Sequence, residues 1–205
     1  MDYAGLTQLV ESYLARPTLA PWYQSFISAA ETWLNYGSQE TPALRVREME
    51  EIDTLTPTDG VAVLPGDYLE YITVAEADGR QRVLDYITPD QAHRWYPSQP
   101  GGGAQYFTII GENLHTFPQA SGDLSLTYYK TIPPLTPVDD TNWLLAKNPN
   151  IYLHATLFAA FTFDRNAAEA TAHAGLASSL INGMNRSGMM AKYRRAGLTP
   201  RGTTP

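Results

Sequence analysis

Ile151-Tyr152-Leu153-His154-Ala155-Thr156-Leu157-Phe158-Ala159-Ala160-Phe161 is the stretch on which the fold turns. It follows Asn148, which can cap a helix, and Pro149, which suits the first helical position. A surface helix keeps one polar face, whereas this segment is apolar on nearly every side and must be buried all round. One small bundle covers such a helix with difficulty, so the pattern predicts that another subunit supplies part of the cover. Trp143, Leu144, Tyr152, Leu157, Phe158 and Phe161 are the candidates for core or subunit-interface positions.

Helical patterns flank this stretch on both sides. Asp139 or Asp140 can cap a short helix holding Trp143, Leu144 and Leu145. A last helix is expected over 167–194, with Gly175, Gly183 and Gly188 inside it, each weakening it by roughly 1 kcal/mol relative to Ala. Residues 196–205 lack any core-forming pattern and read as an extended arm. At the other end, Tyr3, Leu6, Leu9, Val10, Tyr13 and Leu14 form one apolar helical face that Arg16-Pro17 ends. A second helix is expected from near Pro21 through Phe26, Ile27, Ala30 and Leu34 to Gly37, which suits a C-terminal cap.

Between these ends the periodicity changes. Short β-type runs are expected at 44–49, 60–63, 69–75, 81–86, 106–110, 113–117 and 124–129, separated by turn-forming Gly, Pro and Asp. Thr88-Pro89 begins a single N-capped helical turn reaching Trp95, and 97–103 reads as a flexible loop. The expected class is α+β: a helical bundle built from N- and C-terminal helices, an inserted antiparallel β-rich subdomain and an extended C-terminal arm. Its parts are 1–42 and 133–195 for the bundle, 43–132 for the insertion and 196–205 for the arm.

The chain has 205 residues, 43% hydrophobic and 17% charged, which is globular composition. Length alone can support a core, and the absence of Cys excludes disulfides, thiolate metal clusters and a cysteine nucleophile. Met1-Asp2 followed by an amphipathic segment predicts no export signal, and no eighteen-residue apolar run predicts a bilayer span. Net charge is −7, yet positions 170–205 carry Arg186, Lys192, Arg194, Arg195 and Arg201 and no acid, so they hold +5 against −12 before them. That basic end suits an acidic partner or phosphate, or simply complements the dipole of a solvated helix end.

Chemistry is hard to find. His93, His115, His154 and His173 show no metal-ligand spacing. Gly101-Gly102-Gly103 lacks the Lys-Ser or Lys-Thr of a phosphate loop, and no G-x-S-x-G nucleophile elbow occurs. The acids of 48–51 and Asp139-Asp140 could supply a glycosidase pair, but adjacent surface carboxylates and a helix cap account for them equally. Asn185-Arg186-Ser187 matches a glycosylation sequon inside an expected helix and reads as chance. The aromatics of the β region, Trp95 and Tyr96 among them, could bind glycans, although strands favour such residues anyway.

Several segments taken in order resemble the head-to-tail adaptor, or connector, proteins of tailed bacteriophages. They are Phe26-Ile27 with Ala30-Glu31; Leu64-Pro65-Gly66-Asp67-Tyr68-Leu69-Glu70; Tyr106-Phe107-Thr108-Ile109-Ile110-Gly111; Leu124-Ser125-Leu126-Thr127-Tyr128-Tyr129-Lys130; Asn142-Trp143-Leu144-Leu145; and Asn148-Pro149-Asn150-Ile151-Tyr152-Leu153-His154-Ala155. The resemblance covers roughly residues 20–165. It implies a virion protein without enzymatic activity or cofactor, made in the host cytoplasm and placed in the head-tail neck. A homo-oligomeric ring, dodecameric in such adaptors, would join the portal protein to a tail or tail-completion protein and touch passing DNA without sequence preference. The C-terminal segment would reach the portal, which makes Lys192, Arg194, Arg195 and Arg201 the portal-binding candidates. A glycan-binding or carbohydrate-active tail protein is the alternative from another class.

Overall fold

The structure is a computed structural model that describes residues 1–77, 82–98 and 100–193; the expected arm at 196–205 lies outside the described residues, as do Arg194, Arg195 and Arg201. The fold is mixed α+β, with six α-helices and two sheets among the described residues. The chain divides into two compact units, one combining Met1–Glu48 with the chain from Ile132 onward and the other formed by Met49–Thr131.

The first unit is helical. Helix α1 (Tyr3–Leu14) starts where the Asp2 carboxylate accepts the Gly5 N–H at 2.8 Å, and it buries Leu6, Val10 and Leu14. The expected start of the second helix at Pro21 is corrected: Pro17–Trp22 forms a 3-10 turn, and α2 (Tyr23–Tyr36) begins after it. Two prolines within six residues each withhold an N–H, which favours the tighter turn over a continuous α-helix. Gly37 ends α2 at φ 72, where an added Cβ would sit 2.6 Å from the Ala43 nitrogen.

Helices α4 (Trp143–Lys147), α5 (Pro149–Phe163) and α6 (Ala167–Tyr193) complete this unit, and α5 packs against α1, α2, α4 and α6. Neither Asp139 nor Asp140 caps α4. Asn142 does, its side-chain oxygen accepting the Leu145 N–H at 2.9 Å, and Asn148 precedes α5 without a side-chain cap bond. The all-round burial expected of α5 holds over much of its length but not at its end: Ile151, Tyr152, Leu153, Ala155, Thr156, Leu157, Ala160 and Phe161 are buried, Phe158 is half-buried, and Phe163 is 52% exposed. The chain itself supplies that cover.

The second unit contains two sheets. One has the order β1-β7-β3, from β1 (Glu50–Leu55), β7 (Leu124–Lys130) and β3 (Tyr68–Glu76), all antiparallel. The other has the order β2-β6-β5-β4, from β2 (Val61–Val63), β6 (Asn113–Phe117), β5 (Tyr106–Ile110) and β4 (Asp85–Tyr86). Leu55, Val74, Leu126 and Tyr128 from the first meet Ala62, Phe107 and Leu114 from the second in one core. Helix α3 (Pro89–Trp95) begins with a full capping box between Thr88 and Gln91 and packs Ala92 against Ile87 and Phe117.

Three strand expectations are corrected. Residues 44–49 do not form a strand: Leu44 and Val46 alternate because both are buried, and Arg47–Met49 is a 3-10 turn. In place of a sheet neighbour, the Asn185 amide of α6 accepts the Arg45 N–H at 2.8 Å and donates to the Ala43 carbonyl at 2.9 Å. The true strand follows at Glu50–Leu55, an edge strand paired with β7 alone. Its acids discourage a strand reading but suit an edge, where charge blocks further pairing.

Of the 81–86 run, whose first residue lies outside the described residues, Asp85–Tyr86 forms β4, and β4 joins β5 in parallel, so the insertion is not wholly antiparallel. The chain changes sheets there. The Leu84 N–H still bonds Val74 of β3 while the Asp85 and Ile87 N–H groups bond Gln105 and Phe107. The 97–103 loop, expected to be flexible, is tied by Gly102 N–H to Gln119 carbonyl and Gln119 N–H to Pro100 carbonyl, both at 3.0 Å.

Candidate functional site

The helical unit carries the features that can serve recognition, and a buried polar network sets its shape. Glu31 and Asn35, one turn apart on α2, lie on its buried side. Glu31 Oε1 accepts the Leu135 N–H at 2.7 Å and the Tyr152 hydroxyl at 3.0 Å, and Asn35 Oδ1 accepts the Ile132 N–H at 3.0 Å. Asn142 Nδ2 donates to the Tyr152 oxygen at 2.7 Å and to the Pro133 carbonyl at 2.8 Å. Four side chains thereby pin the 132–135 segment against α2, α4 and α5. Burial raises the Glu31 carboxyl above the usual range despite the two bonds that oppose it. Burial, with the Glu31 charge beside it, also pushes the Tyr152 hydroxyl up.

Beside this network, α2, the end of α5 and the first half of α6 enclose an open groove of about 1050 Å³. Its floor is Trp33 against Phe158, ring centroids 4.9 Å apart, and Tyr36, 69% exposed, stands at its edge. Thr41 and Ser178 close one end through hydroxyls 2.5 Å apart. Two charges line the groove, Glu40 and Arg165, both exposed. Apolar walls with opposite charges are the composition of a contact surface rather than of a reaction centre.

The sequence pattern did not disclose the histidine pair. His154 on α5 and His173 on α6 meet with their Nδ1 atoms 3.0 Å apart, and His173 also stacks on Phe161. Burial lowers both pKa values, with His173 lowering His154 further and Glu169 opposing the shift at His173. A nineteen-residue separation gives no local periodic signal, so only the packing of two successive helices creates the pair. Among the described residues no group of three or more His, Asp or Glu could hold a metal.

The sequence-derived candidates separate into three sets. Leu144, Tyr152, Leu157 and Phe161 lie in the core of the single chain, while Trp143 and Phe158 are half-buried, Phe158 in the groove. Lys192 lies near the end of α6, and Arg194, Arg195 and Arg201 fall outside the described residues. Of the carboxylates considered for glycosidase chemistry, Glu48 accepts from Lys147 Nζ at 2.8 Å, a bond that holds it below the usual range. A general acid requires the reverse shift. Glu51 bonds Lys130 at 2.6 Å. Trp95 is 54% exposed, but Tyr96 stacks on Phe117 at 5.8 Å, so the two rings do not make one open platform. The Asn185 amide is engaged on both sides by the Ala43–Arg45 backbone, so the sequon carries a packing role. Arg82 crowds one residue of the triple glycine: it reaches within 3.1 Å of where a Gly103 Cβ would stand and donates to Glu76 and the Ala104 carbonyl, whereas a Cβ at Gly101 would meet nothing within 4 Å.

Comparison with known families gives one match, to the family described as SU10 adaptor protein, over residues 1–201. Nearly the whole chain is covered, and the chain belongs to this family of phage head-to-tail adaptors, as the ordered motifs implied. Adaptors of this kind are structural proteins of the virion neck, where they meet portal and tail components. No curated protein matches the chain. No described helix is long and apolar enough to cross a membrane.

Proposed function

We propose that this member of the SU10 adaptor protein family forms a dodecameric ring below the portal, joins it to the tail and lines the channel through which DNA leaves. The family match over residues 1–201 carries the reading. The net charge of −7 fits such a conduit, because a wall that bound phosphate tightly would retard the duplex. On this reading the chain has a structural role and performs no catalysis. Closed rotational symmetry lets every copy satisfy the same pair of surfaces.

The portal contact is assigned to the basic C-terminal end, Lys192, Arg194, Arg195 and Arg201, and the β-rich unit is left to face outward or toward tail components. Reconstruction of tailed particles tests the whole reading. Twelve copies of this chain between portal and tail are expected; density for the neck without this chain overturns it.

A further inference from the structure

Two surfaces of the helical unit are left unfilled by the described side chains, and they lie on opposite flanks of α6. One is the groove over Trp33 and Phe158, bordered on α6 by Thr171. The other is a ridge bearing Leu176, 50% exposed, and Leu180, 38% exposed. At about 100° per residue, Thr171 stands about 140° from Leu176 and about 180° from Leu180 around the helix axis. Gly175, beside the groove, and Gly183, continuing the ridge, sit inside α6 where an added Cβ would meet nothing within 4 Å. Each weakens the helix, and no contact among the described residues explains it.

Charge gives the two surfaces a direction. The groove has Arg165 at its α6 N-terminal end and Glu40 toward the level of Ser178. Along the other flank Glu169 precedes the two leucines, about 20° from each around the helix axis. Arg165, Glu40 and Glu169 make no ion pair within the chain among the described residues. From Arg165 to the level of Ser178 is about 20 Å of helix, so Glu169 can lie opposite only one of the two groove charges. Glu169 meets Arg165, rather than the like-charged Glu40, only when the two α6 helices run in the same direction.

We propose that the Leu176–Leu180 ridge of one copy seats in the groove of a second copy, with Glu169 facing Arg165. This rests on the adaptor reading and names the surfaces that would close its ring. Contacts between different faces of identical chains are heterologous, and they yield rings when the rotation closes. A two-fold pair would instead set ridge on ridge, reverse the helices and leave the grooves empty.

Site-directed cross-linking tests this, helped by the absence of native cysteine. Thr171→Cys and Leu176→Cys replace exposed residues, and the double variant is incorporated into tailed particles and oxidised. A ladder of disulfide-linked multimers is expected from the double variant, with no linked dimer from either single variant. Linked dimers from Leu176→Cys alone would mean that ridge meets ridge and would overturn the proposal. Particles that contain the variant at its normal abundance but give no ladder would overturn the surface assignment while leaving the adaptor reading standing. Native particles lacking this chain would sink both. A charge swap checks the direction: Glu169→Arg should reduce the ladder, and adding Arg165→Glu should restore it. Failure of the second change to restore it would reject the parallel arrangement.

Discussion

Glu31 is a buried acceptor for two donors, and its charge is the costly part of that arrangement. Glu31→Gln keeps an oxygen for Leu135 and Tyr152 while removing the ionisation. Because folding raises this carboxyl above its ordinary range, the folded state holds a proton that the unfolded state has already released. Stability is therefore lost as pH rises through the interval between the unfolded and folded values, and Gln escapes that loss. Urea unfolding should show Glu31→Gln close to the parent in acid and more stable than it at neutral pH. Glu31→Ala, which orphans both donors, should lose about 2–5 kcal/mol. His154 and His173 give the opposite pH sign. Both are held below the usual imidazole value, so the unfolded chain takes up protons first and stability falls as pH drops below about 6.5. Glu169 acts in the other direction, raising His173 and opposing the effect. His154→Leu combined with His173→Phe, which preserves the ring against Phe161, should flatten thermal stability between pH 7 and 5 relative to the parent chain.

Helix α4 shows how neighbouring residues of similar hydrophobicity differ in consequence. Leu144 is fully buried, and Leu144→Ala should cost about 2–5 kcal/mol. Trp143 is half-buried, and its Nε1 has no hydrogen-bond partner among the described residues. Complete burial would predict a loss of about 3–5 kcal/mol for Trp143→Ala; partial burial reduces the expected loss to about 1–3 kcal/mol. Trp143→Phe, which deletes the unpaired donor, should change stability by under about 1 kcal/mol; equilibrium denaturation of the three variants checks this ordering. The same contrast explains what was legible in the sequence. The continuous apolarity of α5 and the Thr88 capping box are local signals, and both elements form where they point. Strand β1 exists because β7 lies beside it and Lys130 meets Glu51, and neither fact is written in Glu50-Glu51-Ile52-Asp53. The 44–46 segment carries a strand-like alternation, yet its hydrogen-bond partner is an asparagine 140 residues away in sequence. The groove and the histidine pair were illegible for the same reason, since each is assembled from helices distant in the chain or out of register with one another.

At the scale of the whole molecule, folding and attachment can be separated along α6. Its buried positions are Ala170, His173, Ala177 and Ile181, and beyond Ile181 none of its described side chains is buried. Removing residues 191–205 therefore deletes no buried side chain among the described residues, while it takes away Lys192, Arg194, Arg195 and Arg201, four of the five cations after Glu169. The truncated chain should unfold within about 1 kcal/mol of the full-length protein, as changes outside a core generally do. It should nevertheless fail to attach to the portal. Thermal unfolding reads the first expectation and a pull-down with purified portal reads the second. Because attraction between exposed charges is screened over roughly 10 Å at 0.1 M salt, the intact protein's portal binding should also weaken as salt rises, and the truncation should abolish that dependence together with the binding. Full portal binding by the truncated chain would remove the basic end from the contact and shift the search to the helical unit's apolar surfaces.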